Sequence, residues 1–112
     1  MTPEQLVDAL KTHQALEFED TMAVIDEHFD YTPTAFKNGE QANEPGQNAG
    51  SCKILAFGQF MGLSEEEALR GFGRFYRDVQ NTPDGDDHGN IRNFIRYGWS
   101  GVSFDSAPLQ RR

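Results

Sequence analysis

Leu6, Val7 and Leu10 fall at helical spacing behind Thr2-Pro3-Glu4-Gln5, which predicts a first helix from about Pro3 to His13. Thr2 can cap it, Pro3 suits the first helical position because its missing N–H costs nothing there, and Gln5 completes a capping box. A second apolar stripe, Met22, Ile25 and Phe29, follows Glu19-Asp20-Thr21, whose acids suit the positive end of a helix dipole; this helix should run to about Phe29. Tyr31 to Phe36 is aromatic and β-branched, but Pro33 removes a ladder donor and biases Thr32 towards extended geometry. An edge strand or extended loop is expected there, with a small hairpin turning at Asn38-Gly39.

The pattern changes after Gly50-Ser51. Ile54, Leu55, Ala56, Phe57, Phe60 and Met61 make the 52–61 stretch apolar on most sides, the mark of a central helix, and Gly62 closes it. Ser64-Glu65-Glu66-Glu67 is a second capping box, opening a helix whose buried stripe is Ala68, Phe72, Phe75, Tyr76 and Val79. Asn90 can cap a short helix carrying Ile91, Phe94 and Ile95, ended by Gly98, after which Trp99, Val102 and Phe104 read as a tail packed onto the body. The fold class expected is α+β, mainly helical: about five helices packed around the central apolar helix, with a small extended element at 31–43.

A chain of 112 residues fits one domain with one core. Its net charge of −8 argues against a non-specific nucleic-acid binder and against an anionic membrane surface. The charge is uneven: residues 1–67 carry 13 acids and 3 bases and residues 68–112 carry 5 acids and 7 bases, so an anionic partner is better placed on the second part. The one cysteine excludes an internal disulfide, and neither a basic, apolar leader nor a membrane-length apolar run is present. These features predict a soluble, cytoplasmic protein.

Four features could carry chemistry. Residues 84–90, "DGDDHGN", begin like a calcium loop, but the twelfth position is Ile95, which cannot supply the bidentate carboxylate such a loop needs; no standard metal site is predicted, and Asp86, Asp87 and His88 are left as a looser set beside a turn-and-cap reading. Residues 43–53, "NEPGQNAGSCK", fail the phosphate-loop pattern because Cys52 precedes Lys53 and Ile54 follows it. Free N–H groups at residues 51–54 and the Lys53 ammonium could still hold a carboxylate or phosphate, against the reading of a plain capped helix. Cys52 in a first helical turn is a candidate nucleophile, with His13, His28 and His88 as candidate bases; a small buried residue is the competing account. Arg70, Arg74 and Arg77 line one stripe that could grip an acidic partner or form a solvated face. His13 and His28 lack ligand spacing.

As a set, "YTPTAFKNG" (31–39), "NEPGQNAGSCK" (43–53), "DHGNIRNF" (87–94) and "GWSGVSF" (98–104) resemble the HopJ family, named for a type III effector of plant-pathogenic bacteria. The resemblance runs from Phe18 to Leu109 and implies a route of delivery into a host cell rather than a reaction. Residues 1–50 contain no serine, unlike a serine-rich secretion signal, so a resident cytoplasmic role stands beside that route. The matching segments are rich in polar side chains that core packing does not need. They are expected to converge on a pocket for a small anionic ligand, with Asn43, Asn48, Ser51 and Lys53 facing Asp87, His88, Asn90 and Arg92, closed by Tyr31 or Tyr76. The competing account is a structural network satisfying loop backbone. Two further classes stay open: an enzyme with His88 as general base or Cys52 as nucleophile, and a protein-interaction module using Arg70, Arg74 and Arg77.

Overall fold

The opening capping box forms as the sequence predicts. Thr2 Oγ1 accepts the Gln5 N–H at 3.1 Å and Gln5 Oε1 accepts the Thr2 N–H at 2.7 Å, starting α1 (Pro3–Lys11). The computed structural model describes residues 1–12 and 14–112; the predicted helix end at His13, and that histidine's chemistry, lie outside the described residues. Next come α2 (Phe18–His28) and β1 (Phe29–Tyr31), then β2 (Phe36–Asn38) and β3 (Gln41–Asn43). The central helix α3 (Ala49–Met61) buries Cys52 and then Ile54, Leu55, Ala56 and Phe57 in succession, so it is apolar on most sides because neighbours surround it. Phe57 meets Phe29 edge to face at 5.7 Å, and truncating such a ring costs about 3–5 kcal/mol.

The helix expected through residues 64–79 is two helices, α4 (Glu65–Arg70) and α5 (Arg74–Asn81). Gly73 breaks it at φ +59, where a Cβ would lie 2.7 Å from the Phe18 backbone N, so the α2 start occupies the space a side chain would need. The break lets Phe72 bury fully while Phe75 turns edge-on to Phe18 at 5.4 Å. α6 (Gly89–Tyr97) follows, then a 3-10 turn (Trp99–Gly101), β4 (Val102–Phe104) and β5 (Leu109–Arg111).

Residues 32–35, within the stretch expected as an edge strand or extended loop, run as irregular chain, and β2 after them is the middle strand of an antiparallel sheet of order β3-β2-β4. Pro33 precedes the strand, so its missing donor is not needed in the ladder. Phe36 pairs with Asn43 and Phe104, and Asn38 with Gln41 and Val102, which turns Phe36, Asn38, Asn43 and Val102 inward. β1 and β5 form a separate two-stranded ribbon, clasped to α1 where Arg111 bonds Glu4 at 2.6 and 2.8 Å. The result is an α+β fold, mainly helical, around α3. No described helix is long and apolar enough to cross a membrane.

Candidate functional site

Beneath the α3 and α6 starts the inward-facing asparagines of the hairpin meet those of the loops. Asn43 Oδ1 accepts from Asn48 Nδ2 at 2.8 Å, Asn90 Nδ2 at 3.1 Å and Gln41 Nε2 at 3.2 Å. Asn90 Oδ1 accepts from Asn38 Nδ2 at 3.1 Å and Asn43 Nδ2 at 3.3 Å, and Asn38 Nδ2 also donates to the Asn90 carbonyl at 2.7 Å. Amides suit this role because each carries both donor and acceptor without charge, so a buried chain of them can satisfy itself.

Over this floor lies a cleft of about 240 Å³, lined by Gln41, Asn48, Gly50, Ser51, His88, Gly89 and Asn90 on its polar side and by Phe18, Phe72 and Ile91 on its apolar side. Two helix N-termini open onto it. Asn48 and His88, which immediately precede α3 and α6, are the two non-glycine residues with positive φ among the described residues, at +53° and +51°. Neither caps its own helix: Asn48 turns its Nδ2 down to Asn43 Oδ1, and the His88 ring packs on Phe75 at 5.4 Å. The first intrahelical bonds run from Cys52 to Asn48 and from Arg92 to His88, so the N–H groups of residues 49–51 and 89–91 make no hydrogen bond among the described residues. A left-handed residue followed by helix turns successive N–H groups into a concave cradle that favours an anion. His88 Nε2 stands 3.8 Å from the carboxylates of both Asp78 and Asp87.

The other candidates fall elsewhere. Asn43 is in the floor, below the lining. Lys53 bonds Asp26 at 2.7 Å and sits 4.9 Å over the Tyr31 ring, forming a separate cluster between α2 and α3. Arg92 staples the loop before α6, bonding the Thr82 carbonyl at 2.7 Å and Asp87 Oδ1 at 2.6 Å; that guanidinium holds the Asp87 carboxyl below its usual range. Tyr76 is on α5, lining grooves with Arg70, Arg77 and Ile95 rather than this cleft. Cys52 is 1 % exposed, and burial pushes its thiol up to about 11, the reverse of the activation a nucleophile needs. No histidine nitrogen reaches it among the described residues.

The arginine stripe is paired within the chain. Arg74 bonds Glu19 at 2.7 and 3.1 Å and Glu17 at 3.0 Å, Arg77 bonds Glu17 at 2.5 Å, and Arg70 bonds the Leu10 carbonyl at 2.7 Å. Arg74 and Arg77 thus fasten α5 to the start of α2, and Arg70 fastens α4 to α1. Among the described residues no group of three or more His, Cys, Asp or Glu side chains is arranged to hold a metal ion.

Sequence reading missed Phe18, Gln41, Phe72 and Ile91 in the lining and Asn38 in the floor. Asn38 was hidden by its neighbour: Asn-Gly reads as a turn, while the alternation Phe36, Asn38 that turns both inward is visible only once the hairpin register is known.

A comparison with curated proteins finds no match. A solved structure described as "Crystal structure of unknown function protein VPA0580" is similar, with 48% identity and a TM-score of 0.94 over 97% of this chain and 92% of that one. The family model described as HopJ type III effector protein matches residues 3–109. That match spans all four segments quoted from the sequence, and the chain belongs to the HopJ family.

Proposed function

We propose that this protein is a small-anion-binding member of the HopJ family, taking a carboxylate or phosphate in the cleft between the α3 and α6 N-termini. One observation carries the reading: two helix starts meet at one cleft, and the N–H groups of Gly50, Ser51, Gly89, Asn90 and Ile91, residues that line it, have no hydrogen-bond partners among the described residues. Two helix dipoles and a cradle at each end favour negative charge there. The Phe18, Phe72 and Ile91 wall fits an anion that also carries a small apolar group. A thermal-shift series with phosphate, acetate and larger carboxylates tests it, because a ligand of the native state raises the melting temperature by mass action. The wild type should be stabilised, and Ser51→Asp, which places a carboxylate in the α3 first turn, should lose the response.

A second reading has one observation in its favour: His88 is the one titratable side chain among the described cleft-lining residues, and two carboxylates flank it at 3.8 Å, as suits a general base. Turnover abolished in His88→Gln with anion binding retained would select it. Delivery by a type III system belongs to the same proposal and rests on the family. A reporter fused after residue 50 should be translocated in a type III-dependent way, and failure would remove delivery while leaving the binding function standing.

A further inference from the structure

Asn38-Gly39 is the one Asn-Gly pair in the chain, and the fold engages both of its reacting groups in hydrogen bonds. In such a pair the glycine amide nitrogen, losing its proton, can attack the asparagine side-chain carbon, since glycine has no Cβ to shield it. The new C–N bond closes a succinimide ring, and the side-chain nitrogen leaves as ammonia. Water then opens the ring at either carbonyl, giving aspartate or an isoaspartate whose backbone runs through the side chain. The balance needs only water.

In the native protein the Gly39 N–H is tied to the Gly101 carbonyl at 2.9 Å, and Asn38 Nδ2 is tied to Asn90 at 2.7 and 3.1 Å. Asn38 is 0 % exposed and sits in the middle strand of its sheet. Neither product fits that place. An aspartate would put a carboxylate oxygen where an N–H now meets the Asn90 carbonyl, and Asn38 Oδ1 already has no partner, so the charge would be buried without donors. Isoaspartate adds a methylene to the backbone of a strand paired on both sides and breaks its register.

We propose that Asn38-Gly39 is a self-modification site kept closed by β4 and α6, so that prolonged opening of this sheet is recorded irreversibly and the amide floor under the cleft cannot re-form. The full chain is held at pH 8 and 37 °C in buffer and in urea, and the peptide containing residue 38 is followed by mass spectrometry for amide-to-acid conversion and isoaspartate. Conversion should proceed in urea and run at least about tenfold slower in buffer, the ratio set by how rarely the sheet opens. In urea, Gly39→Ala should slow it, a comparison that needs no folding. After urea is removed, converted chains should stay unfolded or melt lower than unconverted ones. Equal rates in buffer and urea, no conversion in urea, or converted chains that regain the wild-type melting temperature would each overturn the proposal.

Discussion

The helix N-termini of this molecule are of two kinds. At α1 and α4 the chain caps itself: Thr2 with Gln5, and Ser64 with Glu67, exchange side-chain bonds with backbone N–H groups at 2.7–3.2 Å. At α2 Asp20 accepts the Glu17 N–H at 2.9 Å, and at α5 the N–H groups of Phe75 and Tyr76 bond the carbonyls of Phe72 and Gly73. At α3 and α6 no side chain caps the helix, although Asn48 and Ser51 are chemically able to. The Asn48 amide instead props the floor below. Capping is within easy reach of this sequence; the capped α4 still leaves the N–H groups of Glu65 and Glu66 without a partner, but α3 and α6 leave all three of their first N–H groups so, and these two ends meet at one cleft.

The largest expected effect is in the floor. Asn43→Ala removes the acceptor of three N–H groups, and at about 1–3 kcal/mol per buried group left unpaired the unfolding free energy should fall by about 3 kcal/mol in urea titration. A loss no greater than that of a cap would mean that water replaces the network. The cap itself comes next: Ser64→Ala at a closed end should cost about 1 kcal/mol, whereas Ser51→Asp at an open end should gain about 0.5 kcal/mol, so the two kinds of terminus respond with opposite sign. Equal signs would erase the distinction.

A smaller effect lies at the clasp. Arg111 beside Glu4 holds that carboxyl down to about 2, against 4.5 when free. A depressed folded-state value means stability that is present above about 4.5 and lost as pH falls towards 2. Glu4→Gln should therefore flatten this acid limb of a melting-temperature profile and leave the cleft's anion response unchanged. Smallest of all, Cys52 should stay unreactive to a thiol reagent at pH 8 until denaturant is added, since its thiol is buried and pushed up to about 11. Rapid native-state labelling would reopen its chemistry.

Much of the scaffold was legible because it rests on local rules. The capping boxes at Thr2 and Ser64 and the apolar run at 52–61 each name their element without help from distant residues. The break at Gly73 was not legible: its cause is the Phe18 and Glu17 backbone, more than fifty residues away in sequence. The cleft was legible in half. Asn48, Ser51, His88 and Asn90 were drawn from the sequence because polar loop residues without core duties stand out, and the structure gathers them at one place. Lys53 and Arg92 stood out equally, yet their long side chains found partners in Asp26 and Asp87, and no spacing rule says which carboxylate a cation will reach.

The most direct test of the central claim is a phosphate titration of the labelled protein followed by amide chemical shifts. The open-end account predicts that the N–H signals of residues 49–51 and 89–91 move together with one dissociation constant, and that Ser51→Asp abolishes the movement. Signals at those six residues that stay in place at saturating phosphate, or that move equally in Ser51→Asp, would contradict it.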